Sequence, residues 1–459
     1  MPRTRKRFES LALPGIIFLA LLELPSVAIA DTVIGAESNT DGGIESATVT
    51  GSDVEASADS AAQTNTADTG ADREAKLSVH GFLTQAWAKA DFVDVPVGPL
   101  PPVGAETGPL GRSPTNQEAN LGIPEDGTTN YRFLALQFRY EISENDVFVV
   151  QLSSRALGFS PVQQAEDEVE LDWGFYERKI GDDTSLKVGR VMIPIGIYNE
   201  LRDVGTVLPF YRPSLLFYKE GSFNSETVDG LTLGHTFFAN SDWPLDVTAY
   251  GGEWSEVQTT VDPTSGELVS ARVRIQDAYG YQLWLGTPWE LRFGTGLFTF
   301  VQGTDVFDTG RRDVFHYSVD ANFGRFTIQG EWQGETADIN IPGLGTLTIS
   351  PNQWYVLAGV RLTEKFHIWG QLEAAEVSST SDFLVNATKG DPQGFRQRED
   401  IGVSLNYFFA PNLVLKAEHH WAEETAPNIF FDPPSGMFRQ DLFTSPDGSY
   451  SIVSLSVSF

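Results

Sequence analysis

The sequence predicts an all-β protein: a transmembrane antiparallel β-barrel of about 16 strands, with short periplasmic turns and long extracellular loops. Three observations carry that expectation. From Leu77 to Phe459 the chain runs in segments of about ten residues whose two faces differ in polarity. The connections between these segments alternate between short and long. Aromatic residues, 12% of the chain, sit at the ends of the apolar faces, where a barrel meets its two lipid interfaces.

The first region is separate. Arg3, Arg5, Lys6 and Arg7 precede a short apolar run from Leu11 to Leu22 and the small-x-small step Ala28-Ile29-Ala30. This order marks residues 1–30 as a secretory signal peptide, with the mature chain expected to begin at Asp31. Residues 31–76 are rich in Ala, Ser, Thr, Gly and Asp and hold no aromatic residue. They carry too little apolar surface to order themselves and read as a disordered acidic linker. The barrel domain is then 77–459. No later run reaches the roughly 18 apolar residues of a membrane helix. The chain has no cysteine, so backbone pairing and burial must stabilise it without disulfides. Its formal net charge is −31, and −33 once the signal's four basic and two acidic residues are gone. A chain this acidic is a poor nucleic-acid binder.

Strands are expected to start near Leu77, Tyr131, Val147, Glu168, Leu186, Thr227, Leu245, Val273, Trp289, Asp313, Arg325, Asn352, Lys365, Glu399, Asn412 and Ser449. Their faces are easily told apart. Ile401, Val403, Leu405, Tyr407 and Phe409 oppose Gly402, Ser404 and Asn406, and Phe326, Ile328 and Trp332 oppose Thr327, Gln329, Glu331 and Gln333. Trp87, Trp173, Trp289, Trp332, Trp354 and Trp421 lie on or beside apolar faces, as aromatic girdles would.

Short connections fall at 143–146, 181–185, 240–244, 286–288, 323–324, 362–364 and 410–411. Long ones fall at 91–130, 157–167, 192–226, 255–272, 302–312, 334–351, 377–398 and 423–448. A soluble sandwich has no reason to alternate in this way; a membrane barrel does. Only closure satisfies every backbone group in lipid, and about 16 strands enclose an aqueous lumen. Gln151, Ser153, Gln276, Gln282, Ser318, Asn322, Gln329, Gln371 and Asn406 are expected to face it.

The stretch Leu186 to Pro213, LKVGRVMIPIGIYNELRDVGTVLPFYRP, resembles the phosphate-selective porin O and P family of Gram-negative outer membranes. In that family a strand with a Val-Gly step runs into a Pro-x-Gly loop folded into the pore; Val188, Gly189, Pro194 and Gly196 match. The resemblance implies a passive diffusion channel in the outer membrane and a homotrimer. The chain lacks the lysine-rich ladder of phosphate-specific members, so the resemblance implies a porin without naming its solute.

By that analogy the connection at 192–226 narrows the channel. Pro194, Pro209 and Pro213 stiffen it, and Ile193, Ile195, Leu208, Phe210, Leu215 and Phe217 offer apolar packing. Glu200, Arg202, Asp203, Arg212 and Lys219 place charge on it. Arg139, Arg155, Arg178 and Arg190 fall on the inward parity of the second to fifth strands, while Asp246, Glu290, Asp320, Glu331, Glu373 and Glu418 fall on that parity further round. Opposed walls would set a transverse field and an ion preference; local pairing of each arginine is the equal alternative.

Nothing points to an enzyme, metal or cofactor. The six histidines make no ligand spacing, and Gly294-Thr295-Gly296 sits within a strand, not before a helix. The function expected is therefore a channel for small hydrophilic solutes or ions. The alternative is a structural or adhesive barrel with a blocked lumen and partner-binding loops. Expected partners are outer-membrane lipid, lipopolysaccharide and the barrel-assembly machinery. That machinery reads a terminal aromatic strand, here Val453, Leu455, Val457 and Phe459 alternating with serines.

Overall fold

The structure, a computed structural model, describes residues 76–91, 95–96, 112–113, 121–160, 169–218, 226–261, 268–303, 308–341, 345–381, 384–386, 393–432, 437–444 and 448–459. The expected signal peptide and linker lie, apart from Lys76, outside the described residues, as does Lys219.

Sixteen strands form one closed antiparallel barrel. They are β1 (Lys76–Asp91), β2 (Thr128–Glu141), β3 (Asp146–Leu157), β4 (Glu170–Lys179), β5 (Thr184–Met192), β6 (Thr227–Phe237), β7 (Leu245–Val261) and β8 (Leu268–Gly286). The second half is β9 (Leu291–Gly303), β10 (Asp308–Phe323), β11 (Phe326–Ile341), β12 (Gly345–Arg361), β13 (Phe366–Ser381), β14 (Gln393–Ala410), β15 (Leu413–Asp432) and β16 (Gly448–Ser458). Each pairs with its sequence neighbours, and β1 pairs with both β2 and β16, which closes the ring. No backbone edge is left in the wall.

The two faces sort as the alternation requires. Ile401, Val403, Leu405, Phe409, Val453 and Leu455 are exposed on the outside, while Ser404, Asn406, Ser454 and Ser456 are buried in the lumen. Trp87, Trp289, Trp332 and Trp421 are exposed outside. Phe459 pairs with Gly81 through two backbone hydrogen bonds, 2.9 and 3.0 Å. A Cβ at position 81 would collide with the Phe459 ring, so glycine there makes room for it.

Two expectations change because of bulges. β3 and β4 slip register between Gln151 and Leu152. This carries Trp173 onto the lumen face opposite Gln151 and leaves it 8% exposed, so it belongs to no girdle. β8 is irregular between Gln276 and Tyr279, and Gln276 emerges exposed, not lumenal. Asp277 in that bulge has φ 50. A bulge inserts one residue and flips every side chain beyond it.

The long loops also change. Pairing of β7 with β8 continues to Val261 and Leu268, that of β11 with β12 to Ile341 and Gly345, and β13 reaches Ser381. These strands run 17, 19, 16, 17 and 16 residues, beyond the roughly 9–11 that cross a bilayer. Much of what reads as polar loop is therefore hairpin outside the membrane. By contrast β4, β5 and β6 hold 10, 9 and 11 residues. The connection from β5 to β6 leaves from this low wall.

Candidate functional site

After Met192 the chain leaves β5 and turns inward. Its local structure is a 3-10 turn (Asn199–Leu201) and one turn of helix, α1 (Leu215–Tyr218). Ser214 caps α1 by accepting the Phe217 N–H at 3.2 Å. Ile193, Ile195, Leu208, Phe210, Leu216 and Phe217 are at most 4% exposed, each worth about 1.5–3 kcal/mol of burial.

The segment reaches wall after wall. Gln282 on β8 donates to the Gly196 carbonyl at 3.1 Å. Glu331 on β11 accepts from the Ile197 N–H at 3.0 Å, Ser318 Oγ at 2.5 Å and Tyr355 Oη at 2.6 Å, and also from Tyr218 Oη. Tyr198 Oη donates to Gln329 and Ser214 Oγ to Glu373 on β13. Asn406 on β14 donates to the Pro209 carbonyl at 3.0 Å, and Lys416 on β15 to the Phe210 carbonyl at 2.7 Å. Glu418 accepts the Tyr211 N–H at 2.7 Å. Thr206 Oγ1 donates to Ser458 Oγ at 3.3 Å.

Gly196 explains one motif position. Its φ is 64, and a Cβ there would lie 2.5 Å from Glu331 Oε1 and 2.6 Å from Tyr218 Oη. Only glycine admits both the left-handed backbone and that approach.

The return of the segment is stapled to β3. Arg155 donates to Glu226 with Nη1 and Nη2, at 3.0 and 2.8 Å, a bidentate pair. Arg202 lies 3.4 Å from the same carboxylate. Asn199 Nδ2 donates to the Ile193 and Glu226 carbonyls at 2.7 and 3.2 Å. Gln151 donates to Asp172 and Asp203 at 2.9 and 2.8 Å. Burial pushes the Asp203 carboxyl well up, with the Asp172 and Glu226 charges adding to it. Burial works upward on Glu226 also, but the Arg155 and Arg202 guanidiniums outweigh it and hold the group down at about 2.

The structure thus brings Arg155, Arg202 and Asp203 together and scatters the other expected residues. Glu200 lies 3.9 Å from Lys187 on β5. Arg212 stacks over the Tyr131 and Tyr211 rings, 5.5 and 5.6 Å from their centroids. Arg139 keeps lumen parity, near the turn after β2, 3.7 Å from Glu141. Arg178 and Arg190 are not lumenal. Arg178 pairs in register with Asp146, on the side of exposed Phe148, and its guanidinium is 3.0 Å from that carboxylate. The bulge in β4 accounts for this. Arg190 shares the parity of exposed Val188 and pairs with Asp229, beside exposed Leu231, at 2.7 Å. The basic wall is therefore broken, whereas Asp320, Glu331, Glu373 and Glu418 are buried in the lumen as expected.

Two features escape sequence reading. One is an apolar bed inside the barrel: Tyr250, Trp254, Val273, Ile275, Phe298, Phe300 and Val314 are buried in one cluster with Ile193, Ile195 and Phe217. Their strands carry apolar residues on both faces, so alternation there gives no clear inward side. The other is a buried network joining β14, β15 and β16. Arg398 lies 3.1 Å from Asp400 and 3.3 Å from Glu424, and His420 Nδ1 is 2.9 Å from Asp400 and stacks on Tyr450 at 4.3 Å. Among the described residues no group of three or more His, Cys, Asp or Glu side chains is placed to hold a metal.

No protein-family model matches the chain, and no curated protein matches it in sequence. Solved structures do resemble it. OmpT, an outer membrane protein of Vibrio cholerae in its trimer form, aligns with a TM-score of 0.50 at 11% identity, over 84% of this chain and 99% of that one. The anion-selective porin from Comamonas acidovorans aligns at 0.47 and 10% identity, over 84% and 100%. The outer membrane channel DcaP of Acinetobacter baumannii aligns at 0.46 and 9%, over 85% and 99%. The likeness shows the closed antiparallel outer-membrane β-barrel fold, and not the phosphate-selective O and P family in particular.

Proposed function

We propose that the protein is an outer-membrane porin of a Gram-negative bacterium, a passive channel for small hydrophilic solutes or ions whose conductance is set by the segment at 192–226. The observation that supports this most directly is the set of hydrogen bonds tying that segment to lumenal side chains on β8, β11, β13, β14 and β15. They hold peptide groups across the path a solute would take. The porin-type fold agrees. A homotrimer, contacts with lipopolysaccharide and recognition of Phe459 by the assembly machinery belong to the same reading.

One observation favours the second reading, a barrel with a blocked lumen. Lumenal residues all round the segment are nearly inaccessible, Thr84, Gln151, Tyr355, Glu373, Lys416 and Ser456 each at 3% or less. Planar-bilayer recording separates the two. A channel gives stable steps, small for the intact protein and larger when 197–216 is replaced by a short Gly-Ser linker. Steps only in the linker variant support the blocked barrel, and steps in neither variant count against both readings.

A further inference from the structure

Beneath the turn at 199–204, on the side of the short turns, lies a cavity of ≈ 270 Å³. Its wall side comes from Gln137 on β2, Gln151 on β3, Trp173 and Phe175 on β4 and Lys187 on β5; the crossing segment roofs it with Glu200 and Asp203. The bulge in β4 puts Trp173 here. Its ring stacks with Phe175, centroids 5.6 Å apart at 15°. The indole Nε1 is buried and has no hydrogen-bond partner, an arrangement that normally costs about 1–3 kcal/mol. Lys187 sits 5.1 Å above the Phe175 ring and only 3.9 Å from Glu200, a loose pair.

We propose that this cavity is a solute-binding subsite for a single neutral, hydroxyl-bearing ring, of the size and chemistry of a monosaccharide. The inference deepens the channel reading and rests on it. The volume, near the lower limit of about 300–1,000 Å³ for ligand pockets, admits one ring and not a chain of them. Adjacent aromatic rings offer an apolar surface to the C–H face of a sugar. Around them stand donors (the Lys187 ammonium and the Gln137 amide) and acceptors (the Glu200 carboxylate, the glutamine carbonyls). Hydroxyls both give and accept hydrogen bonds, so they can use all of these. Charge decides against an ion: Lys187 and Glu200 offset each other, and burial drives Asp203 towards its uncharged form. An anion would meet Glu200 and a cation Lys187.

Titration calorimetry on the full-length protein in detergent tests this, with D-glucose, sodium gluconate and glucosamine hydrochloride as probes. Glucose is expected to bind saturably at one site per chain, and each charged analogue more weakly. Trp173→Leu should weaken glucose by about 2- to 10-fold, as should Lys187→Met, while Trp421→Leu on the outer wall leaves it unchanged. Gel mobility with and without heating checks that every variant holds a folded barrel; if Trp173→Leu does not fold, Lys187→Met and the analogue series carry the test. No saturable heat with glucose, or equal affinity for the three probes, overturns the subsite. Bilayer conductance without glucose binding sinks the subsite alone; glucose binding by a protein that never conducts sinks the channel and leaves the subsite standing.

Discussion

Arg190 shows how far one residue's role depends on which face it occupies. It sits between two inward candidates in sequence, yet it shares the parity of exposed Val188 and pairs with Asp229 at 2.7 Å on the outer wall. A charge there is separated from the lumen by the wall itself. Arg190→Glu should therefore leave the reversal potential of the channel unchanged in a salt gradient, and a clear shift would return Arg190 to the permeation path. Arg155 differs. Its guanidinium is committed to Glu226 and lies 3.7 Å from Asp172, which favours local pairing over a transverse field. At Gly196 the constraint is steric, since Glu331 and Tyr218 occupy the space a side chain would need.

At the scale of elements, the crossing segment is held at two kinds of contact. The first is Glu331, which gathers four donors from the segment, β10 and β12. Glu331→Ala leaves the Ser318, Tyr218 and Tyr355 hydroxyls without that acceptor, at about 1–3 kcal/mol each where water cannot replace it, while the Ile197 N–H keeps Tyr218 Oη at 2.8 Å. The expected result is larger and noisier single-channel conductance with the barrel intact; unchanged conductance would mean the segment does not gate the path. The second is Glu226. Its carboxyl is depressed from 4.5 to about 2, so the stability it lends is fully present above its ordinary value and is lost as pH falls towards about 2. Conductance should rise as pH falls below about 4, and Glu226→Gln should remove that acid step. Bilayer recording across this range reads both.

For the whole molecule, closure is the governing fact. Every strand has two neighbours, and the last joins the first over ten register positions, from Phe82 with Ser458 to Asp91 with Ser449. Phe459 extends that seam by one more pair, its ring over Gly81. Deleting Phe459 should lower the yield of heat-modifiable, folded barrel several-fold while leaving the conductance of inserted molecules unchanged, since the ring faces outward and is 59% exposed. Normal insertion of the deletion would remove Phe459 from any part in assembly. The wall is uneven: its strands run from 20 residues in β15 and 19 in β8 down to 9 in β5, and the connection at 192–226 leaves it at that shortest strand.

The barrel itself was legible in the amino-acid order. Strand number, the short turns, the outward girdle and the serine-lined seam all follow from a period of two and from turn chemistry, which act within a few residues. The stretch around Pro194 and Gly196 suggests an inward segment only by resemblance. What only the tertiary structure decided is where parity breaks and what meets across the lumen. The bulges at Gln151 and Gln276 are single-residue insertions that no periodicity reveals, and they moved Trp173 inward and Arg178 outward. Glu331 meets Ile197 across 134 residues of chain, and Lys416 meets Phe210 across 206. Such contacts depend on ring closure bringing distant strands to face one another, which local pattern does not encode.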